Sequence, residues 1–164
     1  MSTTMKTHMR TATVDDIAHL IALKGEEHDQ YPHHSTFSPF IAERYIHTMM
    51  LDPDAVIIVI VGEDNVPFGY LSGTIDHLTL SDKPIAISHH WYVHNPVGRY
   101  KYDSSRYNYG LKLLGAFEGW SKKKGAVSTI VGLRQKAGER KTYDRVFNEL
   151  GYKPDMMYYK KRMQ

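Results

Sequence analysis

Residues 55–76 read AVIIVIVGEDNVPFGYLSGTID, and the fold turns on how they are read. Ala55–Gly62 (AVIIVIVG) is a continuous β-branched run, the pattern of a strand covered on both faces. Glu63–Val66 has turn composition, and Phe68–Asp76 (FGYLSGTID) is the returning partner, so the stretch predicts a hairpin. Ile85–His94 (IAISHHWYVH) adds a further strand after a connection at 79–84. Three strands in a row imply antiparallel pairing.

Working outward, Met9–Thr13 reads as a short strand. Thr13 then suits an N-cap, with Asp15 and Asp16 in the first turn, where the helix dipole favours acids. Ile17, Leu20 and Ile21 follow at helical spacing, and this helix is expected to fade near Gly25. A second helix is predicted over Pro39–Met50 and closed by Asp52-Pro53. Asn95–Tyr109 reads as a long polar, Tyr-rich, basic loop. Gly110–Lys124 follows as a helix, Ala126–Leu133 as a strand, Lys141–Leu150 as a helix with Gly151 at its C′ position, and Met156–Arg162 as a last strand. The later β-α-β unit implies a parallel crossover. The expectation is a single-domain α/β fold, one mixed, mostly antiparallel sheet flanked by helices, over residues 9–164, with 1–8 frayed.

Composition narrows the class. The chain has 164 residues, 41% apolar, and no Cys. A domain of that length can build its own core. The absence of Cys excludes a disulfide scaffold, a zinc ribbon and a thiol nucleophile. No apolar run approaches the ~18 residues of a membrane span. The opening MSTTMKTHMR has no hydrophobic core of a secretory signal, so a cytoplasmic protein with no membrane partner is expected. Net charge is +3, but residues 1–98 carry −7 and residues 99–164 carry +10. A basic half suits an anionic ligand, either a phosphorylated cosubstrate or a nucleic acid.

The order of elements resembles that of the GNAT superfamily of N-acetyltransferases over nearly the whole chain. RTATVDDIAHLIAL resembles its opening strand and helix, and IVIVGEDNVPFGYLSG its central hairpin. WYVHNP resembles the end of its fourth strand, YGLKLLGAFEGWSKKKGA the helix after its pyrophosphate loop, and YDRVFNELGYKP its last helix. The resemblance implies acetyl-CoA as cosubstrate and an amine acceptor, and many relatives are homodimers. It places the pyrophosphate loop on Ser105–Gly110. Arg106, Tyr107, Asn108, Tyr109, Gly110 and Leu111 would hold the cofactor, Asn108 standing for a glycine of the family pattern. Backbone at Val93 and His94 would contact the thioester and pantetheine.

Acetyl transfer to an amine needs a base for the ammonium proton and a donor for the leaving thiolate. An imidazole suits the base. The resemblance points to His89, and simple alternation puts His89, Trp91 and Val93 on one face, with His90 and Tyr92 on the other. The family's acid position falls on Phe147, which cannot donate. Tyr143, one turn earlier on the same helical face, is the candidate acid. Glu26, Glu27 and Asp29 favour a cationic acceptor. His28, His33 and His34 lack the spacing of a metal set, so no metal is expected. Two other readings stand beside the enzyme: an inactive GNAT-fold binding module, and a nucleic-acid-binding protein whose Tyr100, Tyr102, Tyr107 and Tyr109 stack on bases.

Overall fold

The computed structural model describes residues 6–30, 35–77, 82–94, 104–132 and 140–154, with backbone alone at 104–107 and 140–143. The chain divides into two units, residues 1–133 and 134–164.

In the first unit, β1 (His8–Thr11), α1 (Ile17–Asp29), α2 (Pro39–Leu51), β2 (Ala55–Val61), β3 (Pro67–His77), β4 (Pro84–Val93), α3 (Ser104–Lys123) and β5 (Thr129–Val131) follow in that order. The strands make one five-stranded sheet in sequence order. Pairing is antiparallel from β1 to β4 and parallel between β4 and β5, where α3 provides the crossover.

Local chemistry explains the joints. A 3-10 turn, Val14–Asp16, leads into α1. The Thr13 N–H donates to the Asp16 carboxylate at 2.8 Å, and Arg10 clamps the same carboxylate from β1 at 2.6 and 2.9 Å. Ser38 caps α2 from its side chain, with Pro39 in the first turn. The β2–β3 hairpin closes at Asn65, whose φ of 61° is the left-handed geometry Asn tolerates.

Side-chain alternation divides the core. Ile57, Val59, Val61, Tyr70 and Tyr92 pack with Leu20, Leu23, Ile46 and Met49 of α1 and α2. Val56, Ile58, Ile60, Leu71, Ala86 and Val93 pack with Leu113 and Phe117 of α3. At Gly73 an added Cβ would lie 2.5 Å from the Phe117 ring and 2.6 Å from the Ile87 carbonyl, so only glycine lets α3 sit this close.

Three expectations are corrected. Helix α1 does not fade at Gly25 but runs to Asp29, because Lys24 and Glu27 are buried on its inner face. Strand β5 is only Thr129–Val131. Helix α3 begins at Ser104, not Gly110, so residues 104–109 are helix rather than loop. Nothing before Gly110 in that stretch breaks a helix. Tyr109 also packs edge-on against Phe68 at 5.2 Å, and tertiary contact completes what composition left undecided.

The second unit contains α4 (Arg140–Glu149). Gly151 ends it as expected, at φ 84°. The Tyr152 N–H reaches the Phe147 carbonyl at 2.8 Å and the Gly151 N–H the Asn148 carbonyl at 3.0 Å, with Phe147 and Tyr152 in contact. These are the two bonds and the hydrophobic contact of a Schellman motif. The last strand expected at 156–162 lies outside the described residues.

Candidate active site

A β-bulge sets the site. Ser72 pairs with His90 and Gly73 with Ser88, so His89 has no partner across β3. An extra residue shifts the side-chain phase of everything beyond it. His90 and Tyr92 consequently face α1, and Trp91 and Val93 face α3. His89 departs from the expected alternation. Its Nε2 lies 2.8 Å from the Thr74 hydroxyl. Thr74 points away from its neighbour Gly73, which faces Phe117, so His89 and His90 share one side of the sheet.

Helix α1 presents Leu20, Leu23, Lys24 and Glu27 to that side, all buried. Two opposite charges in an apolar stripe survive only when paired. The Tyr70 hydroxyl donates to Glu27 in a very short hydrogen bond and accepts from Lys24 Nζ at 3.3 Å. That ammonium also lies 4.4 Å from the Tyr45 ring centroid and 4.8 Å from that of Tyr70, a cation held between two aromatic faces. The other Glu27 oxygen meets His90 Nδ1 at 3.4 Å. Tyr45 packs edge-on against His90 at 5.4 Å and shares a hydrogen bond with Ser72 at 3.1 Å. Burial pushes the Glu27 carboxyl up. The bonds from His90 and Tyr70 and the charges of His90 and Lys24 outweigh it and hold the group below its usual value. Burial, reinforced by the Glu27 charge, raises the Tyr45 phenol against the opposing bond from Ser72.

A second carboxylate–imidazole pair lies beside the first. Glu26 meets His94 Nδ1 at 2.5 Å and accepts from the Tyr92 hydroxyl at 3.1 Å, and Gln30 donates to that hydroxyl at 2.8 Å. Both members are more exposed than Glu27.

The bulge also frees a backbone edge. β5 pairs with β4 only at Ala86, Ile87 and Ser88, while β4 continues to Val93. The His94 N–H donates to the Phe68 carbonyl at 2.7 Å. Antiparallel bonds recur every second residue, so His90 and Tyr92 also turn their backbone to β3. Trp91 and Val93 turn theirs to the outer edge, where no β5 partner stands among the described residues. The backbone of Val93 thus faces the outer edge together with that of Trp91, whereas the His94 N–H is bonded to β3.

The expected phosphate loop is the start of α3. In a helix beginning at Ser104, N–H groups from Asn108 onward bond within the helix, and the unbonded ones belong to residues 104–106. The N–H groups of Asn108, Tyr109, Gly110 and Leu111 are thus engaged within the helix. Gly110 has a packing role: a Cβ there would come within 2.9 Å of the Trp91 ring. The side chains of Arg106, Tyr107 and Tyr143 lie outside the described residues.

His89 is exposed by its surface, yet partial loss of hydration is the main cause that lowers its imidazole pKa, with His90 and Lys24 adding to it against Asp76. Its Nε2 is already engaged with the Thr74 hydroxyl. Lys24, Tyr45, Tyr70 and Ser72 escaped the sequence reading. The signal that would have found them is Lys24 and Glu27 falling on the apolar stripe of α1, where charges stand only with partners.

No family model matches the chain, and no curated protein matches it. Solved structures do. The aminoglycoside N-acetyltransferase AAC(6')-Iy, in complex with CoA, superposes with a TM-score of 0.68 at 15% identity, covering 99% of each chain. A GNAT family acetyltransferase of Staphylococcus aureus gives 0.66 at 15%, covering 97% of this chain and 100% of the other. A transcriptional regulator from Bacillus halodurans C-125 gives 0.73 at 16%, covering 96% and 100%. Over nearly its whole length this chain has the fold of the GNAT acetyltransferases.

Proposed function

We propose that the protein is an acetyl-CoA-dependent N-acetyltransferase that acetylates a primary amine on a cationic acceptor by direct attack in a ternary complex. The observation that carries this reading is the Glu27–His90 pair, set on the strand whose outer edge is free of β5.

Two features fit acetyl-CoA. The outward backbone groups of Trp91 and Val93 suit the amides of a pantetheine arm, as an added strand would. The free N–H groups that open α3 suit a pyrophosphate. Bound there, acetyl-CoA supplies the activated acyl group.

The side chains supply the rest. Glu27 accepts from Nδ1 of His90 and orients the ring, which leaves Nε2 to take the ammonium proton. Glu26 and Glu27 give the pocket an acidic wall that attracts a cationic acceptor. The neutral amine nitrogen then bonds to the acyl carbon, the C–S bond breaks with its electron pair staying on sulfur, and the proton that the nitrogen sheds on becoming an amide balances the one that the thiolate takes up. Tyr143 is the hydroxyl we assign to the thiolate, and Tyr143→Phe with unchanged turnover removes it from that role.

The test combines calorimetric titration of acetyl-CoA with thiol release on a panel of amines. Micromolar binding and amine-dependent thiol release are expected. His90→Gln should lower turnover about 10²-fold or more, the usual weight of a general base. His89→Gln should change it only a few-fold; the opposite ranking makes His89 the base. No cofactor binding at millimolar concentration overturns the enzyme and turns attention to oligonucleotides.

A further inference from the structure

Lys24 is a buried cation whose placement the chemistry above does not use. An ammonium buried in an apolar helix face is costly unless it serves its neighbours. Here it lies between the faces of Tyr45 and Tyr70 and donates to the Tyr70 hydroxyl at 3.3 Å. A phenol has one proton. Because Lys24 can only donate, Tyr70 must accept from it and give its own proton to Glu27. The direction of the chain is thereby fixed, from Lys24 through Tyr70 to Glu27 and on to His90.

We propose that Lys24 is a positioning residue: acting through Tyr70, it keeps Glu27 a carboxylate turned toward His90 and lowers the pH at which the Glu27–His90 pair gives up its proton. The proposal deepens the acetyltransferase reading and rests on it for its catalytic meaning. A base that must be free at neutral pH sits beside a carboxylate, and a carboxylate alone would make the imidazole hold its proton more tightly. A buried cation on the far side of Glu27 offsets that pull. The groups facing the pair are Lys24 and Glu26 from α1, Tyr45 from α2, Tyr70 and Ser72 from β3, and His89 from β4. Lys24 is the only fixed cation among them. Its charge is among the causes that lower Glu27 and His89.

The experiment is a proton NMR titration of the His90 ring, assigned by its loss in His90→Gln, on the full chain without cosubstrate. Lys24→Met should raise the His90 midpoint by about one pH unit, the scale of one charge at this range in a partly buried setting. Lys24→Arg, which retains the charge, should leave it near the wild-type value. Tyr70→Phe serves where Lys24→Met does not fold: it keeps both charges, breaks the relay, and should also raise the midpoint. An unmoved midpoint in Lys24→Met, or in Tyr70→Phe where that variant stands in, overturns the proposal and leaves Lys24 a packing residue. The same shift should appear in the acid limb of kcat/KM. A wild type that transfers no acetyl group at any pH overturns the enzyme reading alone, because the ring titration still decides what Lys24 does.

Discussion

The two faces of one sheet are built from alternate residues of the same strands and have become different materials. Against α3 the buried hydrophobic cluster sets Leu71, Ala86 and Val93 under Leu113 and Phe117, and the polar groups buried on that side are serine hydroxyls, Ser121 bonded back to the Phe117 carbonyl and Ser88 paired across the strands with Gly73. Against α1 and α2 the β2 residues are equally apolar, but β3 and β4 contribute Tyr70, Ser72, His90 and Tyr92. The titratable side chains that β3 and β4 bury or half-bury are therefore gathered in one quadrant, where the outer half of the sheet meets α1. The dry face holds the sheet in shape, and the wet quadrant carries groups that hold protons. The bulge at His89 lets one strand serve both, because it turns His90 inward toward α1 without moving Val93 off the α3 core.

The sharpest way to break this contrast is to damage each face in turn. Phe117 is fully buried and stacks on Trp120 at 5.6 Å. Phe117→Ala should lower unfolding free energy by about 3–5 kcal/mol in denaturant titration. The His90 titration should keep its midpoint in whatever fraction stays folded. Tyr70→Phe removes a single oxygen from the wet quadrant and leaves Glu27 with one donor fewer. It should cost about 1–3 kcal/mol and lower turnover more than its stability loss accounts for. Equal losses of activity from the two variants, at matched folded fraction, would erase the distinction between the faces.

Much of the dry face was legible in the sequence. The run Ala55–Gly62 announces a strand covered on both sides, and Leu113, Leu114, Phe117 and Trp120 mark the inner side of α3 by spacing alone. The wet quadrant was legible only in part. Glu26 and Glu27 stand out as acids near the acceptor side, but Lys24 looks like any surface lysine until the stripe through Leu20 and Leu23 is drawn through it. His89 and His90 are adjacent, and which of them faces α1 depends on a bulge. A bulge is a register event between two strands, so neither strand alone encodes it visibly. The start of α3 was hidden for a related reason: a Tyr-rich polar segment is helical here because Tyr109 and Gly110 find Phe68 and Trp91, contacts far away in sequence.

Acid should separate the faces next. Asp16 lies below its usual value, chiefly through the hydrogen bond from Arg10 and against the cost of burial, and Glu27 is lowered as described above. A carboxyl whose folded pKa is depressed contributes stability that is complete above its unfolded value. That contribution is lost as pH falls through the folded value. Through these two carboxyls stability should decline below about pH 4, and His89, lowered as well, already takes some stability away as pH falls below the ordinary imidazole value of about 6.5. The buried α3-side cluster has no carboxyl to protonate, so amide exchange should accelerate in α1 before α3 as pH is lowered toward 3. Asp16→Asn should flatten part of the decline. Simultaneous loosening of both helices would mean that the acid response is global and tells nothing about the faces.

The smallest effect sharpens the comparison within the wet quadrant itself. Glu26–His94 copies the chemistry of Glu27–His90 with a shorter contact, 2.5 against 3.4 Å, yet both of its members are more exposed. Exposure decides the ranking, because water screens the pair and competes for each partner, and such pairs are worth roughly 0–1 kcal/mol. Glu26→Gln should therefore leave stability within about half a kcal/mol. Its expected signature is kinetic: a higher KM for cationic acceptors that fades as salt is raised, with kcat unchanged, since a half-exposed carboxylate attracts the acceptor but does not hold the base. A fall in kcat equal to that of Glu27→Gln would mean that proximity to the imidazole outweighs burial, and that His94 and His90 act as equivalents.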